Sequence, residues 1–85
     1  MLPLKNGDAY NPGDTLLCNG ATLLQAKRYS AHLSDRHLYV VLCKYDDEYV
    51  TWIYRNDEMF CFWGHYYRDK QEAIKDYQTR TYKHD

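Results

Sequence analysis

Eighty-five residues, 45% of them hydrophobic, with eleven Lys plus Arg against twelve Asp plus Glu, describe one folded domain of net charge −1; no strong field steers such a chain toward nucleic acid or an anionic membrane. Sixteen per cent of the residues are aromatic, ten of them tyrosines, and Tyr packs its ring while showing a hydroxyl to water, a combination that suits interfaces. Three unevenly spaced cysteines (Cys18, Cys43, Cys61), an opening MLPLKNGD without the apolar stretch of a leader, and no run near the roughly 18 apolar residues of a membrane span predict reduced thiols, no disulfide and a soluble cytoplasmic chain.

Residues 1–14 carry NG and NPGD and no hydrophobic period, so they read as a turn-rich lead-in whose first ten residues are partly mobile. Residues 15–29, TLLCNGATLLQAKRY, are two apolar runs about Asn19-Gly20, a dipeptide that tolerates positive φ, and predict a hairpin. After the polar loop SAHLSDR, HLYVVLCKY and EYVTWIYR are rich in β-branched and aromatic residues and form a second hairpin around Asp46, Asp47 and Glu48. A two-residue Asp46-Asp47 turn sets Val41 opposite Trp52 and Val40 opposite Ile53. A three-residue turn through Glu48 instead sets Leu42 opposite Trp52 and Val40 opposite Tyr54. Either register leaves apolar residues on both faces, so this hairpin is covered above and below or keeps one face for a partner.

MFCFWGHYY is a fifth strand with Gly64 as a bulge or close-approach point. Asp69 and Glu72 then form a capping-box-like pair, and Ala73, Ile74 and Tyr77 make a narrow apolar stripe on a helix over residues 70–80, followed by a fraying tail, 81–85. The sum is one α+β domain, residues 1–85. It holds an antiparallel β-sheet or small open β-barrel of about five strands, spanning 15–67, with one C-terminal helix.

Four constellations carry chemistry on paper. Cys61 and His65 with Cys18, Cys43, His32, His37 and His84 contain zinc ligand types but not the paired knuckle spacing of structural zinc sites, so no metal or other cofactor is expected. Residues 61 and 65 share a strand face, and a small buried hydrophobe near a partly exposed histidine accounts for them. Cys–His pairs, or Ser34, Asp35 and His32 in the loop, lack any glycine-rich or nucleophile-elbow context to supply an oxyanion hole, and the expectation is a non-enzymatic protein. The carboxylates Asp46-Asp47-Glu48 and Asp57-Glu58 sit at opposite ends of one strand, about 25 Å apart, too far to act as a glycosidase pair. Exposed aromatics could stack on single-stranded bases, with Lys27, Arg28, Lys44, Arg55 and Arg68 as the scattered positive charges available.

Strict alternation in FCFWGHYY puts Phe60, Phe62 and Tyr66 on one face and Cys61, Trp63, His65 and Tyr67 on the other. Phe60 and Phe62, with no polar atom to satisfy, are assigned to the core. Trp63, His65 and Tyr67, each with a polar tip, are the partner-binding candidates, together with Tyr39, Trp52 and Tyr54.

The stretch CFWGHYYRDKQEAIKDYQTR, with YVTWIY before it, resembles small proteins encoded by bacteriophages and mobile elements. These close with GHY-aromatic and then A-x-x-D-aromatic-x-x-R, here Gly64, His65, Tyr66, Tyr67, Ala73, Asp76, Tyr77 and Arg80. Some of them resemble anti-CRISPR proteins in size and in lacking a catalytic motif. The resemblance covers residues 49–80 and implies a small non-enzymatic inhibitor that occludes a host protein such as a CRISPR effector. The near-neutral charge departs from acidic DNA mimics. A single-stranded nucleic-acid-binding barrel is the alternative, and a homodimer that buries its spare aromatic face is the third option.

Overall fold

In the computed structural model residues 2–3, 9–16, 19–29 and 38–80 are described. Strands β1 (Leu2–Pro3) and β2 (Ala9–Tyr10) pair antiparallel, with Leu2 opposite Tyr10. Strands β3 (Thr22–Arg28), β4 (Leu38–Tyr45), β5 (Glu48–Arg55) and β6 (Phe60–Tyr67) form an antiparallel sheet in chain order, and helix α1 (Lys70–Thr79) follows. The sheet is open, not a barrel: β3 and β6 are its two edges.

β4 and β5 are buried along both faces because each face has its own cover. On one side Val40, Leu42 and Ile53 pack under Ala73 and Tyr77 of α1. On the other, Tyr39, Val41, Cys43, Val50, Trp52 and Tyr54 pack under Leu2, Tyr10 and Leu16. The lead-in is therefore a layer of the fold. Leu2 and Tyr10 are buried, while residues 1 and 4–8 of the predicted lead-in lie outside the described residues.

In the first hairpin Thr15 bridges Thr22, the Leu23 N–H donates to the Asp14 carbonyl at 2.8 Å and the Gly13 N–H to the Leu23 carbonyl at 2.7 Å. The Leu16 N–H donates to the Ala21 carbonyl and the Gly20 N–H to the Leu16 carbonyl, both at 2.8 Å. Gly20 supplies φ 77°, and Asn19 Oδ1 accepts from the Ala21 N–H at 2.9 Å. Leu16 packs onto the core while residues 13–16 run antiparallel beside 21–23, so the first arm of the expected hairpin is an isolated bridge rather than a full strand; Leu17 and Cys18 lie outside the described residues.

The central hairpin adopts the two-residue register, with Val41 opposite Trp52 and Val40 opposite Ile53. Asp46 takes φ 57°, a conformation its short polar side chain tolerates. Helix α1 begins at the expected cap: Asp69 Oδ1 accepts from the Gln71 N–H at 2.9 Å. It ends one residue early, at Thr79, with Arg80 as its C-cap.

A bulge in β6 changes the reading of FCFWGHYY. Thr51 pairs with His65 and Ile53 with Phe62, so Trp63 and Gly64 together face the single residue Trp52. Trp63, the first residue of the bulge, has φ 54°. The extra residue reverses the alternation, so Phe60, Phe62, His65 and Tyr67 point to the helix side and Cys61 and Tyr66 to the lead-in side.

Candidate partner-binding site

The six residues expected to meet a partner divide into two groups. Tyr39, Trp52 and Tyr54 are core residues under the lead-in. They have no surface to offer, a correction that follows from the layer formed by Leu2, Tyr10 and Leu16. Trp63 and His65 are exposed and Tyr67 is half-buried beside α1. Phe60, assigned to the core by its lack of polar atoms, is 54% exposed, because its strand position opposite Arg55 lies beyond the reach of the helix. Phe62 is half-buried against the helix-side core.

Among the described residues most of the exposed aromatics sit on the edge strand: Phe60, Trp63 and Tyr66 of β6 are 54%, 66% and 55% exposed, while Tyr45 on β4 is 45% exposed. On the helix side Phe60 stacks on Phe62 with ring centres 6.1 Å apart, and Phe62 meets Trp63 edge-on at 4.9 Å. On the lead-in side Tyr66 stands edge-on to Trp52 at 6.0 Å, with Tyr45 on its far side at 6.2 Å. Each cluster is rooted in the core through one less accessible ring, Phe62 or Trp52, which holds its neighbours in fixed orientations. Sequence patterning missed Phe60 and Tyr66. For Tyr66 the signal was Gly64, since a glycine inside a strand marks a bulge and a bulge resets the faces after it; for Phe60, which precedes the bulge, the sequence held none.

Beside this edge, a polar clasp fastens α1 to the sheet. Thr51 is fully buried; its hydroxyl donates to Asp76 Oδ2 at 2.5 Å, and His65 Nδ1 lies 2.9 Å from the same oxygen. Arg80 Nη1 donates to the Thr51 carbonyl and hydroxyl at 3.0 and 3.1 Å, while Nη2 reaches the Trp63 carbonyl at the bulge. Burial works to raise the Asp76 carboxyl, but the hydrogen bonds from Thr51 and His65 and the charges of His65 and Arg80 outweigh it and hold the carboxyl below its usual range. Burial and the neighbouring Asp76 charge push the Tyr67 phenol up. Burial also pulls the Arg80 guanidinium down, against Asp76, yet it stays charged at any ordinary pH. Tyr67, Glu72, Lys75, Asp76 and Thr79 line a shallow groove of about 400 Å³ that opens to solvent beside the clasp.

The residues of the GHY-aromatic and A-x-x-D-aromatic-x-x-R pattern therefore have local structural jobs. Gly64 admits the Trp52 indole, His65, Asp76 and Arg80 form the clasp, and Ala73 and Tyr77 are the buried stripe of α1.

Cys61 packs on the lead-in side and His65 on the helix side, so the bulge separates a pair that simple alternation had placed together. Among the described residues no group of three or more His, Cys, Asp and Glu side chains is close enough to hold a metal ion. Cys18, His32, Ser34, Asp35, His37 and His84 lie outside them. Of the acidic tips, Asp57 is bound by Arg55 through two hydrogen bonds of 2.8 and 3.1 Å, which hold the guanidinium above its usual range. Among the described residues no helix is long and apolar enough to cross a membrane. Comparison with protein-family models, curated proteins and solved structures finds no match to this chain.

Proposed function

We propose that the protein is a small non-catalytic binding module that covers a surface of a partner protein with the aromatic edge built on β6. The observation that carries this reading is Trp63. Among the described residues it is the most exposed of the large hydrophobic side chains, and it occupies a left-handed backbone position at φ 54°, where glycine is the comfortable residue. A non-glycine residue held there costs about 1 kcal/mol or more, and an exposed indole in water recovers none of it from packing into a core. Trp is also the side chain that most often anchors protein interfaces, and Phe60, Phe62 and Tyr66 surround it with further apolar area.

The resemblance of residues 49–80 to phage and mobile-element proteins supports a narrower form: an anti-CRISPR-type inhibitor that acts on a host protein, such as a CRISPR effector, by occlusion. The net charge of −1 fits occlusion of a protein surface better than imitation of DNA. The stacked Phe60–Phe62 pair keeps a second reading in view, a platform for single-stranded bases.

The test compares wild type with Trp63→Gly and Trp63→Ala in titrations against candidate host effectors and against unstructured single strands. Protein binding weakened about thirtyfold or more by both variants, with the fold intact, supports the module. Single-strand binding that falls steeply with salt and requires Trp63 would replace it with the nucleic-acid reading. Variants that bind a host effector as wild type does would overturn the role of this edge.

A further inference from the structure

We infer that β6 is also a self-pairing edge, through which two copies join antiparallel into one continuous eight-stranded sheet. Among the described residues β6 ends the sheet, so its outer backbone groups face away from β5 with no strand beside them. The strand itself, FCFWGHYY, carries no Lys, Arg, Asp, Glu or Pro. The β3 edge, by contrast, ends in Lys27 and Arg28, side chains of the kind that keep sheet edges apart.

Three features select a second copy in antiparallel orientation. The first is facing. Residues opposed across a sheet must share a face, and the bulge arranges this for a strand paired with itself about the Trp63-Gly64 step. Phe60 then lies opposite Tyr67 of the second copy, and Phe62 opposite its His65, all on the helix side. Cys61 lies opposite Tyr66 of the second copy on the lead-in side.

The second feature is charge. The acidic turn Asp57-Glu58 precedes β6, and Arg68-Asp69-Lys70, of net charge +1 and with Asp69 engaged as the helix cap, follows it. Antiparallel pairing brings the acidic end of one strand beside the basic end of the other at both ends of the seam, whereas a parallel pair would align like charges. Glu58 is 64% exposed at its side chain and lies 3.9 Å from Arg55, an exposed pair that a nearby charge can exchange.

The third is the bulge itself. The Arg80 guanidinium that binds Thr51 of β5 also binds the Trp63 carbonyl and ties the bulge to the β5 side, so regular pairing on the outer side runs on the two flanks, 60–62 and 65–67. Those flanks are of equal length and meet each other under a two-fold axis, the relation that makes an interface self-complementary. Both α1 helices then lie on one side of the joined sheet, with the Phe60, Phe62 and Trp63 rings of the two copies between them. The partner-binding reading does not depend on this pairing.

Sedimentation equilibrium on the full chain should give twice the chain mass. The register is read with Tyr66→Cys, which places a thiol opposite Cys61 of the second copy within disulfide reach. This variant should form a covalent dimer on mild oxidation and lose it when Cys61→Ser is added. Tyr45→Cys, also exposed but off the edge, should not cross-link. Replacing both Arg68 and Lys70 by Glu should weaken the dimer up to about tenfold, more at low salt than at high. A monomeric mass at every concentration reached overturns the inference. So does a dimer that fails to cross-link through Tyr66→Cys, or one in which Tyr45→Cys cross-links equally well.

Discussion

Gly64 lies so close against Trp52 that a Cβ at position 64 would sit 2.6 Å from the indole Nε1 and 2.9 Å from Cδ1. The indole is a rigid, buried plate wedged between Tyr45 and Tyr66, so it has no free rotamer into which to retreat. Gly64→Ala is expected to destabilise the domain by about 1 to 3 kcal/mol through overpacking. Denaturant unfolding with a lowered midpoint and unchanged slope is the signature.

The backbone at Trp63 makes an opposite and more diagnostic demand. In an ordinary strand Ala is more stable than Gly, but at φ 54° the order should reverse. Trp63→Gly should be more stable than Trp63→Ala by about 1 kcal/mol and remain within about 1 kcal/mol of wild type, since only the edge-on contact with Phe62 is lost. Equal or inverted stabilities of the two variants in thermal melts would show that the left-handed bulge does not form.

The clasp gives stability a defined dependence on acid. The Asp76 carboxyl titrates lower in the folded chain than in the unfolded one, so its contribution is fully present above the unfolded value near 4 and is lost as pH falls through the folded value. Melting temperatures of wild type should drop along this acid limb. Asp76→Asn should start lower at neutral pH and lose less between neutral pH and the foot of the limb. Parallel wild-type and variant curves would remove Asp76 from the linkage.

Along α1 the burden of docking is unequal. Tyr77 is buried, and Lys27 lies over its ring at 4.9 Å while donating to the Gln78 carbonyl at 3.1 Å. Tyr77→Ala should cost about 3 to 4 kcal/mol, Ile74→Ala, which is half-buried, clearly less, and Asp69→Ala about 1 kcal/mol through the lost cap. Calorimetry on the three variants checks the ranking.

On the opposite face the lead-in should behave as core. Leu2→Ala is expected to cost about 2 to 4 kcal/mol, as for any fully buried leucine, and to raise exposure of the tryptophan beneath the layer. Unfolding followed by Trp fluorescence tests it; a variant as stable as wild type would mean that the layer does not hold the sheet.

The elements that a local signal determines were legible in the sequence. Asp69 followed by the Ala73–Tyr77 stripe specified the helix, and the two Asp residues at 46 and 47 sat between runs that only a sheet could satisfy, because capping and β-propensity act over a few residues. What needed tertiary structure was every question of which side is covered. Patterning showed that β4 and β5 were apolar on both faces, but not that Leu2, Tyr10 and Leu16 return to cover one of them, since those residues have no period of their own and gain their place only through long-range packing. The same holds within FCFWGHYY. Glycine at 64 signalled a bulge, yet the offset of the two flanks is set by pairing with Thr51 and Ile53, and one added residue exchanges the faces of everything after it. Phe60 became surface and Tyr39, Trp52 and Tyr54 became core for that kind of reason: exposure belongs to the assembled layers, whereas residue type sets only a preference.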